Sequence, residues 1–490
     1  MITVLLILIP LLSGIIACFF KDKKVESFAL GASILEFILS IYAFFCFKTG
    51  NLESLVFNTP WISKFGISFY IDIDGISLLM TLLTTFLIPL IILSARGRNY
   101  SKPGLFYGLI LAMQAALIGV FVAKDAFLFY IFWELTLIPI YFIILLWGGA
   151  EKLKVTFKFF IYTLFGSMFM LLGIIYLYLQ TGPDAHTFSI DAFYNLQLSS
   201  GTQMWIFWAF FLAFAIKLPI FPFHTWQPDT YTVSPMPGTM LLSGIMLKMG
   251  IYGIIRWMIP IVPYAILDKW GGSLAIILCV IGIIYASIIA ILQNDFKRLI
   301  AYASIAHIGL IAAGVFTLSF EGLQGGVLQM LAHGINVIGL FFIIEIIAER
   351  TNTRKLSELG GIRTKAPQLA TFFVIIVFSS ISIPLTAGFS GEFLLFVGLF
   401  KYNFWIAGVA CLSIVLGAVY MLYSFQKAML GNTSEKTSVF QDLKFNEKAV
   451  LIPIVILIFL IGIYPKVFLS VSEPAVHTII QEISNTYTLK

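Results

Sequence analysis

Apolar residues in this chain are gathered into long uninterrupted blocks, separated by short stretches that carry charged or turn-forming residues. A helix needs about 20 apolar residues to cross a hydrocarbon layer of roughly 30 Å, since each residue adds about 1.5 Å. Strands of a membrane β-barrel would instead be about 10 residues long and would alternate apolar with polar side chains. The blocks at 77–95 and 450–464 show no such alternation. The pattern therefore predicts an all-α polytopic membrane protein.

Composition excludes two other classes of protein. Of the 490 residues, 60% are apolar and only 11% are charged, whereas soluble domains average about 25% charged residues. The net charge of +6 comes from 30 basic residues scattered over short connections, with no dense patch that could follow a phosphate backbone. We therefore expect the lipid bilayer, and no nucleic acid, as the partner of this surface.

The sequence contains no recognisable redox or nucleotide site. Its cysteines, Cys18, Cys46, Cys279 and Cys411, lie far apart at or within apolar blocks, so they form neither a CxxC pair nor an iron–sulfur run. No GxGxxG or GKS/T loop is present. We expect no cofactor or metal in the chain itself, and the first block, 1–20, is predicted to be a retained span, not a cleaved signal.

Counting apolar blocks predicts about fourteen membrane spans. The expected spans, numbered 1 to 14, cover residues 2–20, 25–47, 77–95, 104–123, 126–148, 157–180, 203–221, 238–258, 272–293, 299–319, 323–347, 367–388, 402–424 and 449–469. We expect a single membrane domain made of spans 1–3 (1–103), two groups of five helices (104–258 and 272–424) and span 14 (449–469).

The distribution of basic residues predicts the orientation in the membrane. Lys and Arg are biased toward cytoplasmic loops, and 20 of the 30 basic residues follow spans 1, 3, 5, 9, 11 and 13. Both termini are therefore predicted on the outer, periplasmic side of a bacterial cytoplasmic membrane.

Spans 7 and 12 are interrupted. Pro219 and Pro222 follow Lys217 closely, and Pro384 precedes a small-residue stretch in span 12; proline lacks a backbone donor and obstructs the preceding helical turn. Broken helices at matching places in two halves of a transporter mark a binding or conduction site. Because each group contains five helices, the second enters the membrane with opposite topology, which predicts inverted repeats. The internal similarity rests mainly on the KLP motif of span 7 matching the SIP motif of span 12.

Six ionisable side chains lie at similar depth in the membrane, where an isolated charge costs roughly 2.5–3.5 kcal/mol on insertion scales. They are Glu134 in span 5, Lys217 in span 7, Lys248 in span 8, His307 in span 10, His333 in span 11 and Glu392 after the break in span 12. Any one of them could be a structural ion pair or a core hydrogen bond, and a lone histidine can be buried neutral. Six together favour a proton or ion pathway.

The chemistry of these side chains fits proton transfer. Burial and a nearby carboxylate have opposite effects on how firmly a lysine holds its proton, so a movement of Glu134 relative to Lys217 would make the pair a gate. His307 and His333 can relay protons near neutral pH, with water filling gaps between side chains. Glu392 could then accept the proton and pass it to one aqueous side.

Other ionisable residues are interpreted as structural. Lys297 and Arg298 are predicted to be cytoplasmic anchors, Glu345 a group at the membrane boundary, and Glu36 a partner of a neighbouring helix or subunit.

Five long motifs occur in order along the chain: FWELTLIPIYFIILLWGG, FAIKLPIFPFHTWQPDTYTVSPMPGTMLLSGIMLKMGIYGIIRW, QNDFKRLIAYASIAHIGLI, LAHGINVIGLFF and GFSGEFLLF. In order and spacing they resemble the proton-translocating, antiporter-like subunits of respiratory complex I, the NADH:quinone oxidoreductase. The similarity covers roughly 77–424. It implies fourteen helices, inverted repeats and discontinuous helices 7 and 12.

The resemblance also implies roles for the six ionisable residues. Glu134 and Lys217 match the glutamate–lysine pair of helices 5 and 7 in the family. The other matches are Lys248 with the relay lysine of helix 8, His307 and His333 with the histidines of helices 10 and 11, and Glu392 with the terminal group of helix 12.

Glu392 distinguishes branches of the family, because subunits L and N usually carry lysine at this position. Subunit L also has a long lateral helix after its last span, whereas about 20 residues follow span 14 here. The chain is therefore most similar to the subunit M branch, called subunit 4 in mitochondria, and L and N are the implied partners. NADH, FMN, iron–sulfur clusters and quinone are then expected in other subunits.

Two further interpretations remain open. Multisubunit Na⁺(K⁺)/H⁺ antiporters and membrane-bound hydrogenases contain subunits of the same type, although glutamate in place of lysine at Glu392 argues against the antiporter. A passive membrane anchor is the other alternative, and it predicts that none of the buried ionisable residues matters for transport.

Overall fold

The computed structural model describes residues 1–182 and 186–488, which are almost entirely helical. Within this part of the chain, eleven helices are long and apolar enough to cross a membrane. They are Lys24–Lys48, Gly75–Ala95, Pro103–Val122, Ala126–Trp147, Lys152–Gln180, Met236–Met258, Lys269–Ile291, Phe296–Phe316, Phe320–Thr351, Phe404–Met429 and Phe445–Ile463. The other three predicted spans correspond to Ile2–Cys18, Ser200–Lys217, and the pair Pro367–Ser380 and Ala387–Tyr402. The predicted all-α membrane architecture is confirmed.

Shorter elements connect the spans. They are the turns Leu52–Ser54, Ser63–Phe65 and Leu356–Glu358, and the helices Ile190–Tyr194, Gln227–Val233, Pro263–Leu267 and Ile362–Lys365. An antiparallel hairpin between spans 2 and 3 pairs β1 (Phe57–Ile62) with β2 (Ile67–Ile71). The sequence analysis predicted no structure in this connection, because it relied on long apolar blocks and these strands are only 6 and 5 residues long.

Acidic or amide side chains cap the N-termini of several spans. Asp74 accepts hydrogen bonds from the backbone N–H groups of Ile76 and Ser77, each at 3.0 Å. Asp125, Asp295 and Asn403 cap spans 5, 10 and 13 in the same way. The first turn of a helix has N–H groups without intrahelical partners, and such caps satisfy them. These residues therefore fix where each span enters the membrane.

Spans 5, 7 and 12 are interrupted. Span 5 divides into Ala126–Leu135 and Leu137–Trp147. Pro139 lies four residues after Leu135, and because proline has no backbone N–H it cannot donate to the Leu135 carbonyl. Span 7 ends at Lys217 because the residue before Pro219 is disfavoured in a helix. The two halves of span 12, Pro367–Ser380 and Ala387–Tyr402, are separated by residues 381–386. In this segment, the φ values of Ser382 and Leu385 are +58° and +71°. The predicted breaks in spans 7 and 12 are present.

Span 8 has an unusual backbone. Its α-helical segments Met236–Leu241 and Lys248–Gly253 alternate with wider π-helical turns at Leu242–Met246 and Ile254–Met258. Such turns are rare in helices and often mark functional positions. Lys248 begins the segment between the two wider turns.

A helix that the sequence analysis did not predict follows span 14. Span 14 ends at Ile463 because Tyr464 precedes Pro465 and leaves the helical region, and a separate helix, Lys466–Thr488, begins after it. Buried side chains recur along it at helical spacing, and exposed polar side chains such as Glu473 and His477 lie between them. The buried positions are Val471, Ser472, Val476, Ile479 and Ile483. The helix is therefore amphipathic, and it differs from the apolar spans.

The chain folds into two compact units. The first contains Met1–Lys217, Ile245–Leu274 and Val471–Lys490, and the second contains Leu218–Gly244 and Ala275–Ser470. In the second unit, span 11 is buried along almost its whole length and packs against spans 10 and 12. Glu134, Lys217 and Lys248 belong to the first unit, whereas His307, His333 and Glu392 belong to the second.

Candidate functional site: two groups of buried ionisable residues

The first group joins Glu134 to Lys217. Lys217 is 1% exposed, and its ammonium lies 5.1 Å from the centre of the Trp133 ring. It is near enough to act electrostatically on the Glu134 carboxylate, which lies close to the hydroxyls of Tyr130 and Ser167. The ammonium forms no hydrogen bond with any described residue. The Trp133 ring is therefore the near neighbour of the amine, and the Glu134 carboxylate acts on it from a greater distance.

The backbone is irregular next to both groups. Lys217 is the last residue of its helix, and the turns after it are not held by regular helical hydrogen bonds. Glu134 lies two residues before Thr136, which separates the two segments of span 5. The pair predicted from sequence therefore lies where one helix ends and another is divided.

Lys248 is fully buried, at 0% exposed. It lies one turn before Tyr252, whose hydroxyl donates to the carbonyl of Phe121 at 2.7 Å. The same hydroxyl is 3.3 Å from the hydroxyl of Ser77. Lys248 is thus buried one turn from a tyrosine that contacts polar groups of spans 3 and 4, in the unit that also contains Glu134 and Lys217.

The second group joins His307 to Glu392. The Nδ1 atom of His307 is 3.1 Å from Oε1 of Glu392, and Gln329 donates to the same oxygen from 3.3 Å. The Glu392 side chain is only 7% exposed. Two donors on different spans therefore hold this carboxylate in a fixed orientation, although it lies within the apolar bundle.

His333 lies next to this pair. The centres of the His307 and His333 rings are 6.0 Å apart, so a proton passing between them needs a water molecule to complete the hydrogen-bond path. Nε2 of His333 is 3.1 Å from the hydroxyl of Ser304. The structure therefore brings both histidines and the glutamate into one polar cluster.

Two small cavities adjoin the cluster. Cavity A is lined by residues of spans 10, 11, 12 and 13, among them Ile300, Ser304, His307, Gln329, His333, Asn336, Leu340 and Ser380. Cavity B is lined by His307, Ser380, Glu392, Ser413 and Tyr420, with apolar neighbours. Each has room for about one water molecule and offers it polar partners. His307 lines both cavities.

This arrangement can transfer protons. The hydrogen bond between His307 and Glu392 allows direct transfer without intervening water. A carboxylate, two imidazoles and two hydroxyl-lined cavities contain both donors and acceptors near neutral pH. Among the described residues, no three His, Cys, Asp or Glu side chains are arranged to hold a metal ion. The cluster therefore contains the donor and acceptor groups that a proton transfer requires.

The sequence analysis missed an ionic cluster in the first unit. Lys124 is 2.9 Å from Asp74, and Arg256 also pairs with Asp74. The side chains of Lys124 and Arg256 are 9% and 8% exposed, although both lie at or near the ends of predicted spans. Glu482 of the amphipathic helix acts electrostatically on Arg256. Sequence spacing gave no signal, because the partners lie far apart along the chain.

Two other interpretations need correction. Lys297 was predicted to be an anchor at the membrane surface, but it is 3% exposed and donates to the carbonyl of Ser234 at 2.7 Å. Glu36 was expected to pair with a neighbouring helix or subunit, but it is 0% exposed, and its oxygens accept no hydrogen bond from any described residue.

Comparison with known proteins identifies the family. The family profile described as "NADH:quinone oxidoreductase/Mrp antiporter, TM" matches residues 123–417. The protein named NADH-quinone oxidoreductase subunit M of Rickettsia prowazekii is 39% identical over 484 residues, covering 97% of each chain. The chain belongs to this NADH:quinone oxidoreductase/Mrp antiporter family. The match to relatives named subunit M agrees with the branch predicted from Glu392.

Solved structures of the family share the fold. A chain of respiratory complex I from Thermus thermophilus with bound NADH superposes with a TM-score of 0.90 at 29% identity, covering 99% of this chain and 100% of that one. A chain of the Mrp complex from Dietzia sp. DQ12-45-1b superposes with a TM-score of 0.85 at 19% identity, covering 98% of each. The second likeness shows the fold alone.

Proposed function

We propose that this chain is a proton-translocating membrane subunit of a bacterial NADH:quinone oxidoreductase. The observation that carries the proposal is the hydrogen-bonded His307–Glu392 pair, in which His307 lines both cavities and Glu392 lines cavity B. The names of relatives that align along nearly the whole chain support it. NADH, FMN, iron–sulfur clusters and quinone belong to partner subunits, and the antiporter-like subunits L and N are the expected neighbours in the membrane.

In this proposal the six ionisable residues form one relay. A change in the position of Glu134, driven by redox chemistry elsewhere, alters how firmly Lys217 holds its proton. Protons then pass by way of Lys248 to the histidines, and His307 protonates Glu392, which releases the proton to one aqueous side. Along the sequence, the relay residues follow one another in the order Glu134, Lys217, Lys248, His307, His333 and Glu392.

The broken spans fit this mechanism. Irregular backbone is tolerated at membrane depth only where protein or a water-containing cavity surrounds it, and breaks lie in the spans that carry Glu134, Lys217 and Glu392. We propose that the two groups of five helices act as inverted repeats, with span 7 broken in the first group and span 12 in the second. From the bias of basic residues, both termini face the periplasm.

Alanine variants of Lys217 and Glu134 test the proposal in closed membrane vesicles that contain the assembled complex. We expect each variant to assemble and to lose most NADH-driven proton uptake, because the remaining partner has no charge to respond to. The amount of complex in the membrane is the control for assembly. Proton uptake at the wild-type level in both variants would remove the gate from the mechanism.

The same assay distinguishes the second candidate, a subunit of an Na⁺(K⁺)/H⁺ antiporter, which the family description includes. An antiporter subunit predicts proton movement that depends on Na⁺ or K⁺ and needs no NADH. The oxidoreductase predicts proton uptake that depends on NADH and is unchanged when both cations are replaced by choline.

A further inference from the structure

Lys297 is a third buried lysine, and the relay described above gives it no part. It lies in the first turn of span 10, and its ammonium donates to the backbone carbonyl of Ser234 at 2.7 Å. Three charged side chains act on it: the carboxylates of Glu345 and Asp295, and the guanidinium of Arg354. Glu345 is only partly buried. Lys297 is therefore enclosed by protein, next to a carboxylate that retains access to its surroundings.

Span 10 connects Lys297 with the histidine cluster. Ile300, Ser304 and His307 follow Lys297 at intervals of three, four and three residues, which places all four on one face of the helix. Ile300, Ser304 and His307 line cavity A. With a rise of 1.5 Å per residue, the cavity begins about one helical turn from Lys297 and extends to His307.

Unsatisfied polar atoms in cavity A indicate that it holds water. Oδ1 of Asn336 and Oε1 of Gln329 are buried and accept no hydrogen bond from any described residue. The two residues are 5% and 3% exposed, and both line the cavity. Buried polar atoms that find no partner in the protein are normally satisfied by ordered water. Water at these atoms extends the polar path from His307 and His333 toward the end of the cavity nearest Lys297.

We infer that Lys297 is the residue that exchanges protons between the aqueous side near Glu345 and the histidines of the second unit. A lysine has a flexible stem and three donors, so its head group can turn from the Ser234 carbonyl toward cavity A. For transfer toward the histidines, the ammonium gives a proton to water in cavity A, and the neutral amine then takes up another proton on the side of Glu345. For transfer away from the histidines, the same two steps run in reverse. The inference rests on the proposed function and adds a residue to it.

A structural role is the competing explanation, because Lys297 also fastens the segment before span 8. Arg298 fastens the same segment, since its guanidinium is 3.3 Å from Asp229, but its side chain is 38% exposed and does not line either cavity. The neighbouring residues therefore form a matched pair for mutation. Both hold the segment, and only Lys297 lies on the face that leads to the histidines.

Lys297→Arg separates the two roles. Arginine keeps the positive charge and a donor for Ser234, but it does not release its proton in proteins. We expect the assembled complex with Lys297→Arg to take up protons at least about tenfold more slowly through this chain, by analogy with the loss of a positioned proton-transfer group. Arg298→Met is expected to pump at the wild-type rate. The assay measures NADH-driven proton uptake in closed vesicles, with the amount of assembled complex as the control.

The outcomes are distinct. If Lys297→Arg assembles and pumps like the wild type, Lys297 is a structural tether and the inference is overturned. An equal loss in Lys297→Arg and Arg298→Met also overturns it, since the segment and not the proton path would then be at fault. Lys217→Ala is measured in parallel. If Lys217→Ala and Lys297→Arg both pump like the wild type, the proposed function itself fails. If only Lys217→Ala loses pumping, the proposed function stands and the role of Lys297 is refuted.

Discussion

Replacing Glu392 with glutamine tests the transfer step between His307 and the carboxylate. The amide has nearly the same shape, and its oxygen can still accept hydrogen bonds from His307 and Gln329, which now lie 3.1 Å and 3.3 Å from Oε1. The amide cannot take up a proton at physiological pH. We therefore expect Glu392→Gln to fold and assemble, but to interrupt proton transfer.

The expected size of the effect follows from the geometry. Two unit charges about 4 Å apart interact by roughly 4 kcal/mol at an effective dielectric constant near 20, and the two atoms here are closer, at 3.1 Å. Cavities A and B each have room for about one water molecule, which would screen the pair, so we take about half of this, or ~2 kcal/mol. At about 1.4 kcal/mol for each factor of ten, losing this interaction slows a transfer step that passes through the ion pair roughly 30-fold. Proton transfer through this chain should fall at least tenfold.

The assay measures NADH oxidation and proton uptake together in vesicles with equal amounts of assembled complex. If the membrane subunits pump independently, the ratio of protons to NADH falls by the share of this chain; if they are tightly coupled, both rates fall. Glu321→Gln is the matched control, because Glu321 pairs with Lys401, whose side chain is 55% exposed, outside both cavities. An unchanged ratio and unchanged rates in Glu392→Gln would refute the transfer step.

Two further substitutions give expected outcomes. Arg256→Met removes one of the two cations that pair with Asp74 and leaves the carboxylate to Lys124 alone, so the complex should lose about 1.5–3 kcal/mol of stability, as for a hydrogen bond to a charged group, measured as a lower unfolding temperature in detergent. Replacing Lys154, which forms an exposed pair with Glu151, should cost less than about 1 kcal/mol, and equal losses would contradict the argument. Ser304→Ala removes the hydroxyl 3.1 Å from His333 and should slow proton uptake several-fold with normal assembly, whereas a wild-type rate would exclude the Ser304 hydroxyl from the path.

Much of the fold follows from the sequence because membrane spans produce strong local signals. Each span needs a long apolar block, and prolines next to Lys217 and in span 12 mark the breaks that the structure shows. The six ionisable residues were found for the same reason, since charges are rare in such blocks. The local pairing of His307 with Glu392, which are 85 residues apart, needed coordinates.

The sequence was less informative where the partner of a side chain lies far away in the chain. Lys297 follows a polar stretch and has the pattern of a surface anchor, yet its acceptor Ser234 is 63 residues earlier. Arg256 and Lys124 also lie near span ends, where charged residues are normally exposed, and only their common partner Asp74 explains why they are buried. The wider turns around Lys248 leave no mark in hydropathy, because a π turn changes hydrogen bonding and not composition.

His307 lies on the wall shared by cavities A and B, and this position has a consequence for what can pass. A hydrated sodium or potassium ion would have to push the imidazole aside and break its hydrogen bond to Glu392. A proton needs neither, because it can arrive on one ring nitrogen while another leaves from the other. In the proposed relay, the ring would therefore separate the two cavities for metal cations and let a proton cross by exchange of bonds.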